Sequence, residues 1–247
     1  MVDVVTERLP AAGQHVHGSV RLRAGGSAVN AALTAAALGA SAQVVGRIGT
    51  DAAGDLVVSA LEATGVDACL ARDASLPTGT AVALGADAVV ADRGANARLS
   101  ARDLPSPLRA DALLVSGFAL FQDGSRDAAR AALDRFDGNW PAVDLASPRL
   151  AALDFEAKVV FATEAEAEAV PGLEARFEIV CVKHADGARA HQAGQIVDVA
   201  SSLVARTSPF GAGDAFAAAF LVAFASGAGL EGALESACAA GAGAAAS

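Results

Sequence analysis

The chain has 247 residues, 53% of them hydrophobic and 19% charged. That length and apolar content suit one large α/β domain and exclude a mainly disordered chain. With 18 Lys and Arg against 28 Asp and Glu, the net charge is −10, which argues against nucleic-acid and anionic-membrane surfaces; a cradle of backbone N–H groups can still bind phosphate in an acidic protein.

In chain order, Val2 to Val5 reads as a β-branched strand, and residues 9–24 as a loop or small hairpin. Ser27 to Leu38 is an Ala-rich helix opened by Gly25-Gly26 and stopped by Gly39. Ala42 to Ile48 is a strand, and Thr50-Asp51 can cap a helix running to Ala63, which Gly65 ends. Thr80 to Ala91 reads as strand with a turn at Gly85 and Asp87, Ala112 to Ser116 as a buried strand, and Ser125 to Phe136 as a helix. Ala142 to Asp144 and Val159 to Phe161 are short strands, Glu164 to Ala169 a helix, and Glu178 to Val182 a strand. Gly187 to Val199 has the pattern of a hairpin, and Ala212 to Ala225 and Leu230 to Ala246 that of helices rich in the chain's 65 alanines. Strands alternating with helices imply a mostly parallel sheet covered on both faces.

The most apolar run, Ala215 to Ala225, is about eleven residues, and a membrane span needs about 20. The first residues lack the basic region and apolar core of a signal peptide. Cys69, Cys181 and Cys238 are odd in number and far apart, which supports neither a disulfide framework nor a metal site and points to a reducing cytoplasm.

Two glycine-rich helix starts carry the chemistry. In Gly211-Ala212-Gly213-Asp214 the glycines allow a sharp turn, and the helix N–H groups and dipole behind them suit a phosphoryl group. An Asp there repels phosphate, but makes sense as the acceptor of a proton from an attacking hydroxyl. Read on its own, the segment equally fits a glycine turn with Asp214 as a helix N-terminal charge. In Gly25-Gly26-Ser27-Ala28-Val29-Asn30, Ser27 and Asn30 lie one turn apart at the helix start and can both bond hydroxyls. Neither a P-loop nor a Gly-x-Gly-x-x-Gly dinucleotide motif is present.

The two motifs in this order resemble the ribokinase-like (PfkB) family of carbohydrate kinases. Gly46-Arg47-Ile48-Gly49-Thr50-Asp51, Thr78-Gly79-Thr80 and Arg93-Gly94-Ala95-Asn96-Ala97 extend the resemblance over nearly the whole chain. It implies a three-layer α/β/α fold over residues 1–247, with a mostly parallel central sheet and a small, shortened β lid from segments near 8–23 and 77–93. It also implies phosphoryl transfer from ATP, with Mg²⁺, to a hydroxyl of a sugar, by a monomer or homodimer. Carried onto matching positions, Asp214 is the general base, and Gly211, Ala212 and Gly213 are the anion hole for the ATP phosphate. Asp3, Gly26, Ser27 and Asn30 bind the sugar, and Lys183, Gly187 and Cys238 border the nucleotide. Glu166 helps to order Mg²⁺ through water.

The sequence departs from the family pattern in places. Asp3 lies almost at the first residue, so half of the first strand is expected to be missing. Ser208-Pro209 replaces Asp-Thr, which argues against activation by a monovalent cation. Thr163 replaces the Asn of an Asn-x-x-Glu motif, and the loop from Lys183 to Gly187 is one residue short. Cys238 stands where some members carry Asn, and the clipped lid predicts weaker closure. These departures keep two alternatives open: a catalytically impaired sugar- or nucleotide-binding member, and a nucleoside kinase. Among the other polar residues, His15 and His17 are expected on one face of a lid strand, and His184 and His191 at the surface. Cys181 is expected buried and inert, and Asp144 either beside the nucleotide or capping a turn.

Overall fold

Successive residues of a strand point to opposite faces of a sheet, so short runs apolar at every position are buried on both sides. Val159 to Phe161 and Ile179 to Val182 are such runs, and they form the middle of the larger sheet. The structure is a computed structural model that describes residues 1–6, 13–84, 88–147, 154–201 and 210–245. Its strands and helices begin with β1 (Val2–Thr6), β2 (Val20–Ala24), α1 (Ser27–Ala37), β3 (Gln43–Gly49), α2 (Ala52–Ala63), β4 (Asp67–Asp73), β5 (Thr78–Leu84) and β6 (Ala88–Gly94). There follow β7 (Leu108–Arg109), β8 (Ala112–Ser116), α3 (Gly117–Phe121), α4 (Arg126–Arg135), β9 (Phe136–Asp137) and β10 (Trp140–Asp144). The last part holds β11 (Val159–Thr163), α5 (Glu164–Glu168), α6 (Leu173–Arg176), β12 (Ile179–His184), β13 (Gly187–Gln192), β14 (Gln195–Ala200), α7 (Ala212–Ala225) and α8 (Gly229–Ala245).

The larger sheet has the order β14-β13-β12-β11-β10-β8. Strands β8, β10, β11 and β12 are parallel, and the β13–β14 hairpin continues the sheet antiparallel. Alternate residues send the two faces into two cores. Ala142, Val159, Phe161 and Cys181 meet Phe216, Phe220 and Leu234 of α7 and α8. Val143, Val160, Val180 and Val182 meet Leu120, Leu133 and Leu173 of α3, α4 and α6. These are the three layers, helices over both faces of a mostly parallel sheet, that the alternation of elements predicts.

A third core joins β1 to α1 and α2 through Val2, Val29, Val44, Val57 and Leu61. Here β1 sits inside a second sheet of order β2-β1-β5-β6, parallel to β5 and antiparallel to β2. Asp51 caps α2 as its sequence position suggests, its Oδ1 accepting the Gly54 N–H at 2.9 Å. The turn expected at Gly85 and Asp87 lies outside the described residues, but β5 and β6 pair as its two arms. Ala193 and Gly194, both at positive φ, close the β13–β14 hairpin in two residues, as the right-handed strand twist favours.

Several expectations need correction. His15 and His17 are exposed and belong to no strand, since strand β2 begins only at Val20. Strand β4 was not expected, because charged residues stand at both of its ends; it pairs parallel with β3. The short helices α3 and α6 have no periodicity to read. Among the described residues, no helix is long and apolar enough to cross a membrane.

Candidate active site

Both glycine motifs become helix starts, and they meet. Gly26 precedes α1 at φ 88° and Gly211 precedes α7 at φ 90°, a left-handed conformation that favours glycine. The side chain of Asn30, on the first turn of α1, donates from Nδ2 to Asp214 Oδ2 at 2.9 Å. The Ser27 side chain lies beside the same carboxylate and favours its charged form. A Cβ on Gly211 would lie 3.6 Å from the Asn30 amide, so the turn before α7 packs directly on α1. Burial pushes the Asp214 carboxyl above its ordinary value, and the Asp144 charge adds to that, while Asn30, Lys183 and Ser27 pull it back.

The third component comes from the sheet. Asp144 ends β10 and Lys183 stands near the end of β12, on either side of β11. The carboxyl edge of parallel strands is where α/β proteins build their sites. Lys183 Nζ donates to Asp144 Oδ1 at 2.9 Å and to Oδ2 at 3.2 Å, with the two side chains 16% and 15% exposed. A Cβ on Gly213 would fall 3.4 Å from Nζ and 3.9 Å from Asp144 Oδ2, so the pair lies against the first turn of α7. Burial opposes the Lys183 charge, but the Asp144 carboxylate bonded to it, together with Glu166 and Asp214, outweighs that and holds its pKa above the ordinary value.

Asp3 forms the opposite wall. It is fully buried, and neither carboxylate oxygen has a hydrogen-bond partner among the described residues. Arg23 Nε is 3.7 Å from Oδ2, and the Arg23 guanidinium also lies over the Phe210 ring at 5.9 Å. Any Cβ at Gly25 would collide with the Asp3 carboxyl, so the close approach requires glycine there. Burial pushes Asp3 up to about 6; Arg23 and the N-terminal ammonium oppose the shift, and the Asp214 charge adds to it.

The remaining expected residues lie apart from this cluster or are engaged locally. Glu166 is buried and closes a capping box: its Oε2 accepts the Thr163 N–H at 2.8 Å, and Thr163 Oγ1 accepts the Glu166 N–H at 3.4 Å. Gly187 opens β13 where a Cβ would strike the Val199 carbonyl, so its smallness serves the strand pairing. Cys238 is buried in the core under α8, with Sγ directed at the Val199 carbonyl 4.0 Å away. Burial pushes both the Cys181 and Cys238 thiols up, which keeps them protonated and inert. His184 is not simply at the surface, since its Nδ1 meets Glu164 Oε1 at 2.9 Å. Asp144 is engaged by Lys183 at both of its oxygens. Ser208 and Pro209 lie outside the described residues. Sequence reasoning missed the Lys183–Asp144 pairing and the approach of Arg23 to the Phe210 ring; in the sequence, only the position of Asp144 at a strand end hinted at the first.

A family model described as pfkB family carbohydrate kinase matches residues 1–247. The chain belongs to the pfkB family of carbohydrate kinases. Solved kinases of this fold superpose closely. An adenosine kinase from Sinorhizobium meliloti is 22% identical at a TM-score of 0.80, covering 91% of this chain and 78% of its own. A putative ribokinase II from E. coli, in complex with ATP and Mg²⁺, is 20% identical at 0.81, covering 100% and 89%. A fructokinase from Vibrio cholerae, bound to fructose, ADP and calcium, is 23% identical at 0.78, covering 99% and 91%. At these identities the likeness shows a common ribokinase-like fold. No curated protein matches the sequence.

Proposed function

We propose that this pfkB family member transfers the γ-phosphoryl group of ATP to a hydroxyl of a sugar. The observation that carries the reading is the meeting of α1 and α7, which holds Asp214 by the neutral Asn30 amide beside a glycine turn. Asp214 accepts the proton of the attacking hydroxyl, and its raised pKa brings it closer to that task than an exposed carboxylate. The N–H groups of Gly211, Ala212 and Gly213, at the positive end of α7, face the charge that builds on the transferring group. Asp3, buried with both oxygens unpartnered among the described residues, is suited to receive hydroxyl donors. Gly26, Ser27 and Asn30 complete that wall, and Ser27 and Asn30 serve it by fixing Asp214. The segments about 8–23 and 77–93 act as the lid.

Among the described residues, no three acidic, His or Cys side chains cluster as a metal cage. That donor set fits magnesium arriving on the ATP phosphates, because this ion keeps waters and takes few protein carboxylates. When bound it neutralises phosphate charge. Glu166, with one oxygen committed to its capping box, would order the ion through water. Gly187 borders the nucleotide only through the strand it opens. The three free cysteines fit a reducing cytoplasm.

A nucleoside acceptor is the second reading. The Phe210 ring, with the Arg23 guanidinium 5.9 Å from its centroid, favours it, as an aromatic surface on which a base can lie. ADP release from Mg-ATP, measured with pentoses, hexoses and nucleosides, tests both readings. Sugar-dependent ADP is the expected result; nucleoside-dependent ADP selects the second reading. Absence of ADP with every acceptor, from protein that binds ATP, refutes both and leaves a binding protein.

A further inference from the structure

Of the charged groups around the Asp214 carboxylate, Lys183 is the cation that lowers its pKa, and nothing in the proton-transfer role of Asp214 requires it. Its placement is specific. The ammonium lies against Gly213, in the turn whose N–H groups would receive the phosphoryl group, and β10 and β12 deliver Asp144 and Lys183 to that point from either side of β11. The ammonium has three donors. Its hydrogen bonds among the described residues are the two to Asp144, which leaves one N–H for another acceptor. A buried ion pair is a poor stabilising device, because desolvation offsets most of its attraction. Two charges kept in a site where apolar side chains would hold the fold as well point to a use for the charge.

We propose that Lys183 is a catalytic cation of the transfer step, and that Asp144 is the positioning residue that holds its ammonium at the rim of the anion hole. The inference rests on the kinase reading above. In the step itself, the acceptor oxygen forms a bond to the γ-phosphorus while the bond from that phosphorus to the bridging oxygen breaks. The electron pair of the broken bond leaves with ADP, and the hydroxyl proton goes to Asp214. Lys183 keeps all its protons and gives a full positive charge and one hydrogen bond to an oxygen of the group in flight. Asp144, Glu166 and Asp214 all favour the charged form of Lys183, so without it these three carboxylates would face the phosphoryl group with no ammonium between them.

The test compares wild type with Lys183→Met, Lys183→Arg and Asp144→Asn in the full chain. The probe is ADP with aluminium fluoride, a mimic of the phosphoryl group in flight, set against ADP alone by calorimetry. In Lys183→Met the gain in affinity that fluoroaluminate gives wild type falls about 10²-fold, with ADP alone bound as in wild type. With an active acceptor, kcat falls about 10²–10³-fold while the acceptor KM holds, and Lys183→Arg recovers part of both losses. Asp144→Asn loses kcat by a smaller factor, also without change in KM. A full fluoroaluminate gain in Lys183→Met overturns the proposal. So does loss of ADP binding itself, which would make Lys183 an ordinary nucleotide contact, and so does a wild type that gains nothing from fluoroaluminate. Lys183→Met strands the Asp144 charge, so the double variant Asp144→Asn/Lys183→Met, which buries no net charge, carries the same comparison if the single variant does not fold. A wild type without acceptor-dependent ADP refutes the kinase reading, while the fluoroaluminate comparison still judges Lys183.

Discussion

Asp214 and Asp3 are both carboxylates withdrawn from water, and both have a raised pKa, yet they are held in opposite ways. Asp214 sits where two helix starts meet, one oxygen accepting from Asn30 and its charge favoured by Lys183 and Ser27. Asp3 is fully buried on a central strand, and neither oxygen has a hydrogen-bond partner among the described residues. An unsatisfied buried acceptor costs roughly 1–3 kcal/mol, more when charged. A fold keeps such a group where something else completes it. On the proposed reading, the difference separates a base set in advance for its task from a group that the acceptor would complete.

The comparison can be broken at several points. The largest effect is expected at the prepared carboxylate. Asp214→Asn keeps the shape and removes the base, so kcat drops by about 10²–10⁴-fold while ATP binding persists, as steady-state kinetics and calorimetry would show. Turnover at the wild-type rate would mean that the base is elsewhere.

At the unpaired carboxylate, Asp3→Asn should weaken acceptor binding about 10- to 100-fold and leave the ATP KM unchanged. An ATP KM that moves with the acceptor KM would show a general collapse of the site. Gly25→Ala should give the same acceptor defect with Asp3 in place, because a Cβ there collides with the Asp3 carboxyl.

Stability supplies a sharper contrast. Asp3 binds its proton up to about pH 6 in the folded chain, against 3.8 as the ordinary value. Between those values the folded state holds more protons than the unfolded state, so stability falls as pH rises through that window and stays lower above it. Asp3→Asn removes this slope and should stabilise the protein at pH 7 by on the order of 2–3 kcal/mol, an advantage that fades below pH 4. Melting curves from pH 4 to pH 7 would show it, and parallel curves for the two proteins would place Asp3 in a satisfied environment. Thr163→Ala, which opens the capping box, should cost only about 1 kcal/mol.

The features most legible in the sequence were those with local causes. Glycines at positive φ announced both helix starts, and continuous apolar runs announced β11 and β12. Strand β4 escaped notice because Asp67 and Asp73 bracket it, and only its pairing with β3 makes it a strand. The roles of Gly187 and Cys238 came from resemblance alone, and their observed contacts belong to strand pairing and the core. The bond from Asn30 to Asp214 depends on α1 meeting α7, across most of the chain, which no local pattern shows. Lys183 and Asp144 are 39 positions apart, and only the strand order β10-β11-β12 brings them together.

The central claim, transfer of a phosphoryl group to an acceptor hydroxyl, is tested most directly by following both products in one reaction. Wild-type protein with Mg-ATP and its best acceptor is analysed by ³¹P NMR for the phosphate ester and for ADP. The account predicts ester and ADP in equal amounts, both absent without acceptor. ADP with inorganic phosphate in place of the ester, or ADP formed at the same rate without acceptor, would contradict it.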